Sequence, residues 1–182
     1  MSMALKKHAD SCLYIDLDAI AANWRYIDSL SSTKTVTAAV VKANGYGLGA
    51  NEVATALTRV GCTAFFVANL DEAISLRQHL DASNYNKPTI MTLHGCHLNQ
   101  LEDHASFRIT PVLNDLEQLS RWRVFSQHQA EPLPAVLHFD TGMNRLGLDK
   151  DQCDWLIHNK AAIDGLRCQY IMSHLASGEI AD

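Results

Sequence analysis

Most of the signals that would place a chain in a class at a glance are missing from these 182 residues. No apolar stretch approaches the ~18 residues that a membrane span requires. The start, MSMALKKHADSCLYIDL, has neither the apolar core nor the cleavage site of a secretory leader, which predicts a cytoplasmic protein. Positive charge is scarce: 15 Lys and Arg stand against 20 Asp and Glu, for a formal net charge of −5. That argues against nucleic acid as the main partner, because phosphate backbones demand clustered cations. The five cysteines (Cys12, Cys62, Cys96, Cys153, Cys168) are scattered and form no C-x-x-C pair, so neither a zinc site nor a redox motif is expected. They read as reduced structural residues that behave as small hydrophobes. No linker, low-complexity tract or block of like charge divides the chain, so a single domain is expected. The hydrophobic share of 47% is enough to build a real core at this length.

What is present is an alternation. Six short apolar runs, at residues 35–42, 63–69, 88–93, 107–113, 134–139 and 166–173, read as strands. Four of them are nearly continuous in apolar or β-branched residues, as strands covered on both faces by helices should be. Helical spacing fills the gaps. Ile20, Trp24, Ile27 and Leu30 form a stripe before the first strand. Asn51 is expected to cap a helix that Gly61 closes, Asp71 to open the next, Asn114 to cap a third and Asp149 a fourth. Only the link HGCHLNQLEDHAS looks short for a helix. A serial β/α pattern admits a (β/α)8 barrel or a doubly wound open sheet, and six units fall short of eight. In a barrel the polar residues at the strand ends (Lys42, Asn69, His94, Asn114, His138 with Asp140, and His174) would gather on one face.

The stretch VVKANGYGLGA, residues 40–50, ends an apolar run on a lysine and then places three glycines in five positions. A phosphate-binding P-loop carries its lysine after the glycines, so that reading is out. Gly45, Gly47 and Ala50 satisfy the loose dinucleotide pattern G-x-G-x-x-A, with Asp71 near the place of a ribose-binding carboxylate. Lys42 and Tyr46 would crowd the pyrophosphate in that arrangement. A surface lysine beside a tight turn is the bland reading. The remaining one is chemical: an amine in a barrel mouth can bond covalently to an aldehyde, and small glycines leave room for a planar ring. Pyridoxal 5′-phosphate (PLP) supplies aldehyde, ring and phosphate together.

Three segments carry a resemblance. AVVKANGYGLGANEVATAL is similar to the cofactor segment of bacterial alanine racemases. LHFDTGMNRLGL (residues 137–148) and IMSHLASGEIAD (residues 171–182) resemble two later motifs of that family in matching order, and YIDLDAIAANWRYI resembles its beginning. The resemblance implies the N-terminal part of a (β/α)8 barrel of TIM type, with a C-terminal β domain absent from this chain. It implies a PLP-dependent isomerase that interconverts L- and D-alanine, supplies D-alanine for cell-wall peptidoglycan and works as a homodimer in its full-length parent. Residue by residue, it implies that Lys42 holds PLP and acts as one catalytic base, that Tyr46 binds the cofactor phosphate, that Arg145 lies near the substrate carboxylate, and that His174 supports the pyridine side. Many members carry a lysine, often carbamylated, just ahead of the Asp-Thr-Gly. The spacing from Asp140 to Arg145 puts His138 there, and a histidine cannot be carbamylated in that way. Two other classes remain as rivals: a non-catalytic PLP-binding barrel and a dinucleotide-binding dehydrogenase domain.

Overall fold

The computed structural model describes residues 11–83 and 87–178. Four of its helices begin where short polar side chains can accept from the free amides of a first turn. Asp16 accepts from Ala19 at the start of α1 (Leu17–Ser29), and Asn69 from Glu72 at the start of α4 (Leu70–Ala82). Asp115 caps α6 (Leu116–Ser126) and Asp149 caps α7 (Lys150–His158) in the same way. The short turn α2 (Lys42–Tyr46) and α3 (Ala50–Arg59) follow the first strand. The link expected to be too short holds a 3-10 turn (Leu98–Gln100) and α5 (Leu101–Ser106).

The strands are β1 (Ala39–Val40), β2 (Ala64–Val67), β3 (Thr89–Thr92), β4 (Ile109–Leu113), β5 (Leu133–Phe139) and β6 (Leu166–Ser173). Every pairing is parallel and the strand order is β1-β2-β3-β4-β5-β6. A doubly wound sheet reverses its order at a switch point, and a dinucleotide sits at that reversal. The sequential order therefore selects the barrel architecture, here as an arc of six strands, and removes the dinucleotide reading.

Period-two alternation sorts side chains to the two faces of the arc. Phe65, Val67 and Ile90 face the helices and bury with Val53, Leu57, Leu76 and Leu80. Leu113, Ala135 and Leu137 do the same with Leu119, Trp122 and Leu148. Ala64, Met91, Val112 and Val136 form a separate inner cluster, with Phe66 and Met172 against it. Fully burying a large apolar side chain stabilises by roughly 1.5–3 kcal/mol, so these layers fix the strand ends against one another. The stripe on α1 is only half engaged: Ile20 and Trp24 pack on the core, whereas Ile27 and Leu30 are exposed.

Three helix starts differ from expectation. α4 is capped by Asn69, which leaves Asp71 inside its first turn and not at its opening. Gly49, and not Asn51, precedes α3, whose first amide (Ala50) donates to the Asn44 side chain at 3.0 Å. Asn114 is displaced from capping by Asp115 and is used elsewhere, as shown below. Cys62 and Cys96 are buried, Cys12 and Cys168 exposed. Burial pushes the Cys96 thiol up to about 12, the behaviour of a structural cysteine.

Candidate active site

Lys42 does not end a strand. β1 stops at Val40, and after Val41 the chain enters a left-handed turn: Ala43, Asn44, Gly45, Tyr46 and Gly47 all have positive φ, between 51° and 83°. Left-handed backbone costs about 1–2 kcal/mol for each residue with a Cβ, so three non-glycine positions need compensation. Part of it is backbone hydrogen bonding, Gly45 to Val41 and Gly47 to Ala43, each 2.9 Å. Another part is Glu72 on α4. One of its carboxylate oxygens accepts from the Ala43 amide and the other from the Ala68 amide, both at 2.8 Å. The turn is thereby tied to the end of β2. At Gly45 a Cβ would come within 3.2 Å of the Ala50 backbone, so this position must lack one.

The turn aims Lys42 and Tyr46 into a cavity of about 540 Å³ at the C-terminal ends of the strands. Lys42 is half-buried, its ammonium 5.9 Å from the centre of the Tyr46 ring, while Tyr46 is 63% exposed. Arg145 and His174 line the same cavity, as do His94 and His138. Val40, Phe66, Leu93 and Met172 form its apolar wall. All four candidate residues from the motifs thus converge, although they come from the turn after β1, the loop after β5 and the end of β6.

The loop 140–147 is built to leave Arg145 without a partner. Asp140 accepts from the Gly142 amide at 3.0 Å and the Asn144 amide at 3.1 Å, which holds its carboxyl below the usual carboxylate range. Asp149 accepts from Gln152. Both nearby carboxylates are therefore engaged by backbone, and among the described residues Arg145 makes no hydrogen bond or ion pair. His174 donates through Nδ1 to the Leu175 carbonyl at 2.8 Å. Asn114 reaches across the sheet: its amide nitrogen donates to the Leu93 and Val112 carbonyls, and its oxygen meets His138 Nδ1 at 2.7 Å. Glu72 and Asn114 are the two residues that sequence reasoning missed in these roles. Nothing local distinguishes either from an ordinary acidic first-turn residue or a helix cap. Among the described residues no group of His, Cys, Asp and Glu is arranged to hold a metal.

An arc of sequential parallel β/α units, with an amine, a guanidinium and imidazoles gathered at the strand C-termini, defines the mouth of a β/α-barrel protein. The comparisons narrow this. Residues 15–182 match the family model described as alanine racemase, N-terminal domain, and the chain belongs to that family. It is 44% identical over 167 residues to an alanine racemase of Rickettsia prowazekii (92% of this chain, 40% of the relative). It is 42% identical over 170 residues to one of Acidiphilium cryptum (93% and 45%). The solved alanine racemase of Bartonella henselae with covalently bound pyridoxal phosphate superposes with a TM-score of 0.81 at 38% identity (91% and 46%). The chain spans less than half the length of each of these relatives.

Proposed function

We propose that this chain is the N-terminal part of a PLP-dependent alanine racemase, carrying most of one barrel and one of its two catalytic bases. The observation that carries this reading is the convergence of Lys42, Tyr46, Arg145 and His174 on one cavity, with Arg145 left free of carboxylates. The residues present fit the cofactor. The cavity volume lies in the range of small-cofactor sites, a primary amine stands at its rim, and the apolar wall suits one face of an aromatic ring. Lys42 would hold the cofactor covalently, Tyr46 would meet its phosphate, and His174 would support its ring. When bound, PLP supplies an electron sink for the carbon that loses its α-proton.

The chain's own groups do the rest. Arg145 binds the alanine carboxylate and thereby orients the Cα–H bond. Lys42 moves a proton at Cα on one face. Val40, Phe66, Leu93 and Met172 line the cavity with apolar surface. Racemisation also needs a proton-transfer group on the opposite face, within hydrogen-bond reach. We place it, with the remaining barrel units and a C-terminal β domain, in the longer protein whose length the relatives indicate. A cytoplasmic homodimer that feeds D-alanine to peptidoglycan synthesis completes the reading. The test is D-alanine formation from L-alanine by the full-length protein with PLP. No racemisation of alanine, with cofactor bound, overturns it.

A further inference from the structure

We infer that the barrel carries a second binding site, at the N-terminal ends of its strands and away from Lys42, which takes a dianionic phosphate group, free or on a small organic body. The inference goes beyond the racemase reading and needs only the β/α arc.

A cavity of about 370 Å³ lies there, lined by the starts of β3, β4, β5 and β6 with Arg77 of α4 and Arg108, the residue ahead of β4. Pro88, Ile109, Leu133 and Pro134 give it an apolar wall. Four cations line it, Arg77, Lys87, Arg108 and Arg167, against one carboxylate, Glu131. This surplus is opposite in sign to the chain, whose formal net charge is −5.

Lys87, Arg108 and Arg167 are exposed, as cations at a rim are, but Arg77 is only 3% exposed. Its Nε donates to the Phe107 carbonyl at 3.2 Å and its Nη2 to the Arg108 carbonyl at 3.1 Å. Nη1 is buried and has no hydrogen-bond partner among the described residues. Its ion pair with Asp81 spans 3.8 Å, too long for a hydrogen bond. The other Asp81 oxygen is taken by Arg108 at 2.6 Å. Two guanidinium groups thus share one carboxylate. Burial holds Arg77 below its ordinary pKa, Asp81 opposes this, and Arg108 adds to it. A buried cation is expected to be paired and hydrogen-bonded, and this one is short of an acceptor.

Arg108 has a φ of 55°, left-handed backbone that residues with a Cβ adopt at a cost. Arg77 holds its carbonyl and Asp81 its side chain. Such strain persists where the surroundings over-determine it, and it gathers at ligand clamps. Holding this turn uses two of the three Arg77 nitrogens. It accounts neither for Nη1 nor for Lys87 and Arg167, which form no ion pair among the described residues. A phosphate dianion answers both: its oxygens accept from a guanidinium, and its double charge offsets more than one cation. The apolar wall gives an organic body a surface to lie on.

The test uses the full-length protein with PLP reduced onto its lysine by borohydride, so that the cofactor's own phosphate site is filled. Inorganic phosphate and phenyl phosphate are titrated by calorimetry and phosphorus NMR, against chloride at matched ionic strength. Expected is saturable binding of one phosphate group per chain. Tighter phenyl phosphate assigns a monoester and equal affinity the free ion; both support the site. Arg77→Met should weaken binding at least tenfold, the order expected when a hydrogen bond to a charged group is lost. That variant also strips donors from the Phe107 and Arg108 carbonyls, so the exposed pair Lys87→Gln with Arg167→Gln decides. It should keep the fold by circular dichroism and lose about tenfold in phosphate affinity. No saturable binding, an affinity unchanged in that double variant, or acetate binding as tightly as phosphate overturns the proposal.

Discussion

A lysine reaches the barrel mouth because the backbone beside it turns the unfavoured way. Four successive residues, Ala43 to Tyr46, are left-handed, and such strain persists only where the surroundings over-determine it. Glu72 is the clearest restraint. Replacing it with Gln would set an amide N–H₂ against one of two backbone donors, so Glu72→Gln is expected to destabilise by about 1–3 kcal/mol. Urea unfolding checks this, and cofactor retention should weaken in parallel. Lys42→Ala is expected to abolish covalent PLP, read as loss of borohydride-trappable cofactor, with the fold intact by circular dichroism. Tyr46→Phe should lower PLP affinity roughly tenfold to a hundredfold, the value of a hydrogen bond to a charged group, measured by titration. Lys42, Tyr46, Arg145 and His174 were legible because each stands in a local motif. Glu72 and Asn114 were not, because each acts across elements: α4 onto the turn after β1, and the end of β4 onto β5.

At the scale of elements, boundaries moved where tertiary hydrogen bonds outbid local preference. Asn114 and Asp115 are adjacent and equally good caps. The Leu93 and Val112 carbonyls claim the first, which leaves α6 to the second. Asp149 had no such rival and was read correctly. Two elements, α5 and β5, carry buried histidines. His104 on α5 lies between the Gln100 carbonyl (2.9 Å) and the Thr92 hydroxyl (3.1 Å), with its edge toward Trp122, and burial lowers its pKa as it does for His138. The sign follows from linkage: the unfolded chain binds protons near the ordinary value of about 6.5 before the folded one does. Stability should be level above that pH and fall as the pH drops toward 5, a window in which carboxylates are largely ionised in both states. Urea unfolding at pH 7.5 and 5.5 measures it, and equal stabilities would mean that these imidazoles protonate freely in the fold.

The molecule as a whole is an arc with two unpaired edges among its described strands. β6 pairs with β5 on one side only, and most of its residues are exposed, with Ile171 at 76%. Open edges of parallel sheet invite association. This 182-residue chain alone is therefore expected to self-associate in analytical ultracentrifugation and to racemise alanine at least a hundredfold more slowly per mole than the full-length protein, because losing one of two proton-transfer groups typically removes a factor of ~10²–10⁴. The serial order of strands was legible from the alternation of apolar runs and helical stripes; the curvature that brings β1 and β6 to one cavity was not, since it arises from pairing geometry and not from any residue. That order also bears on synthesis. Each strand pairs with the one made just before it, so the sheet can grow in the direction of translation. The cavity cannot, for Lys42 leaves the ribosome roughly a hundred residues before Arg145, on the order of 5–20 s at ~5–20 residues per second. Glu72 emerges within one β/α unit of Lys42, so the strained turn is locked early and holds its lysine in place until the far wall arrives.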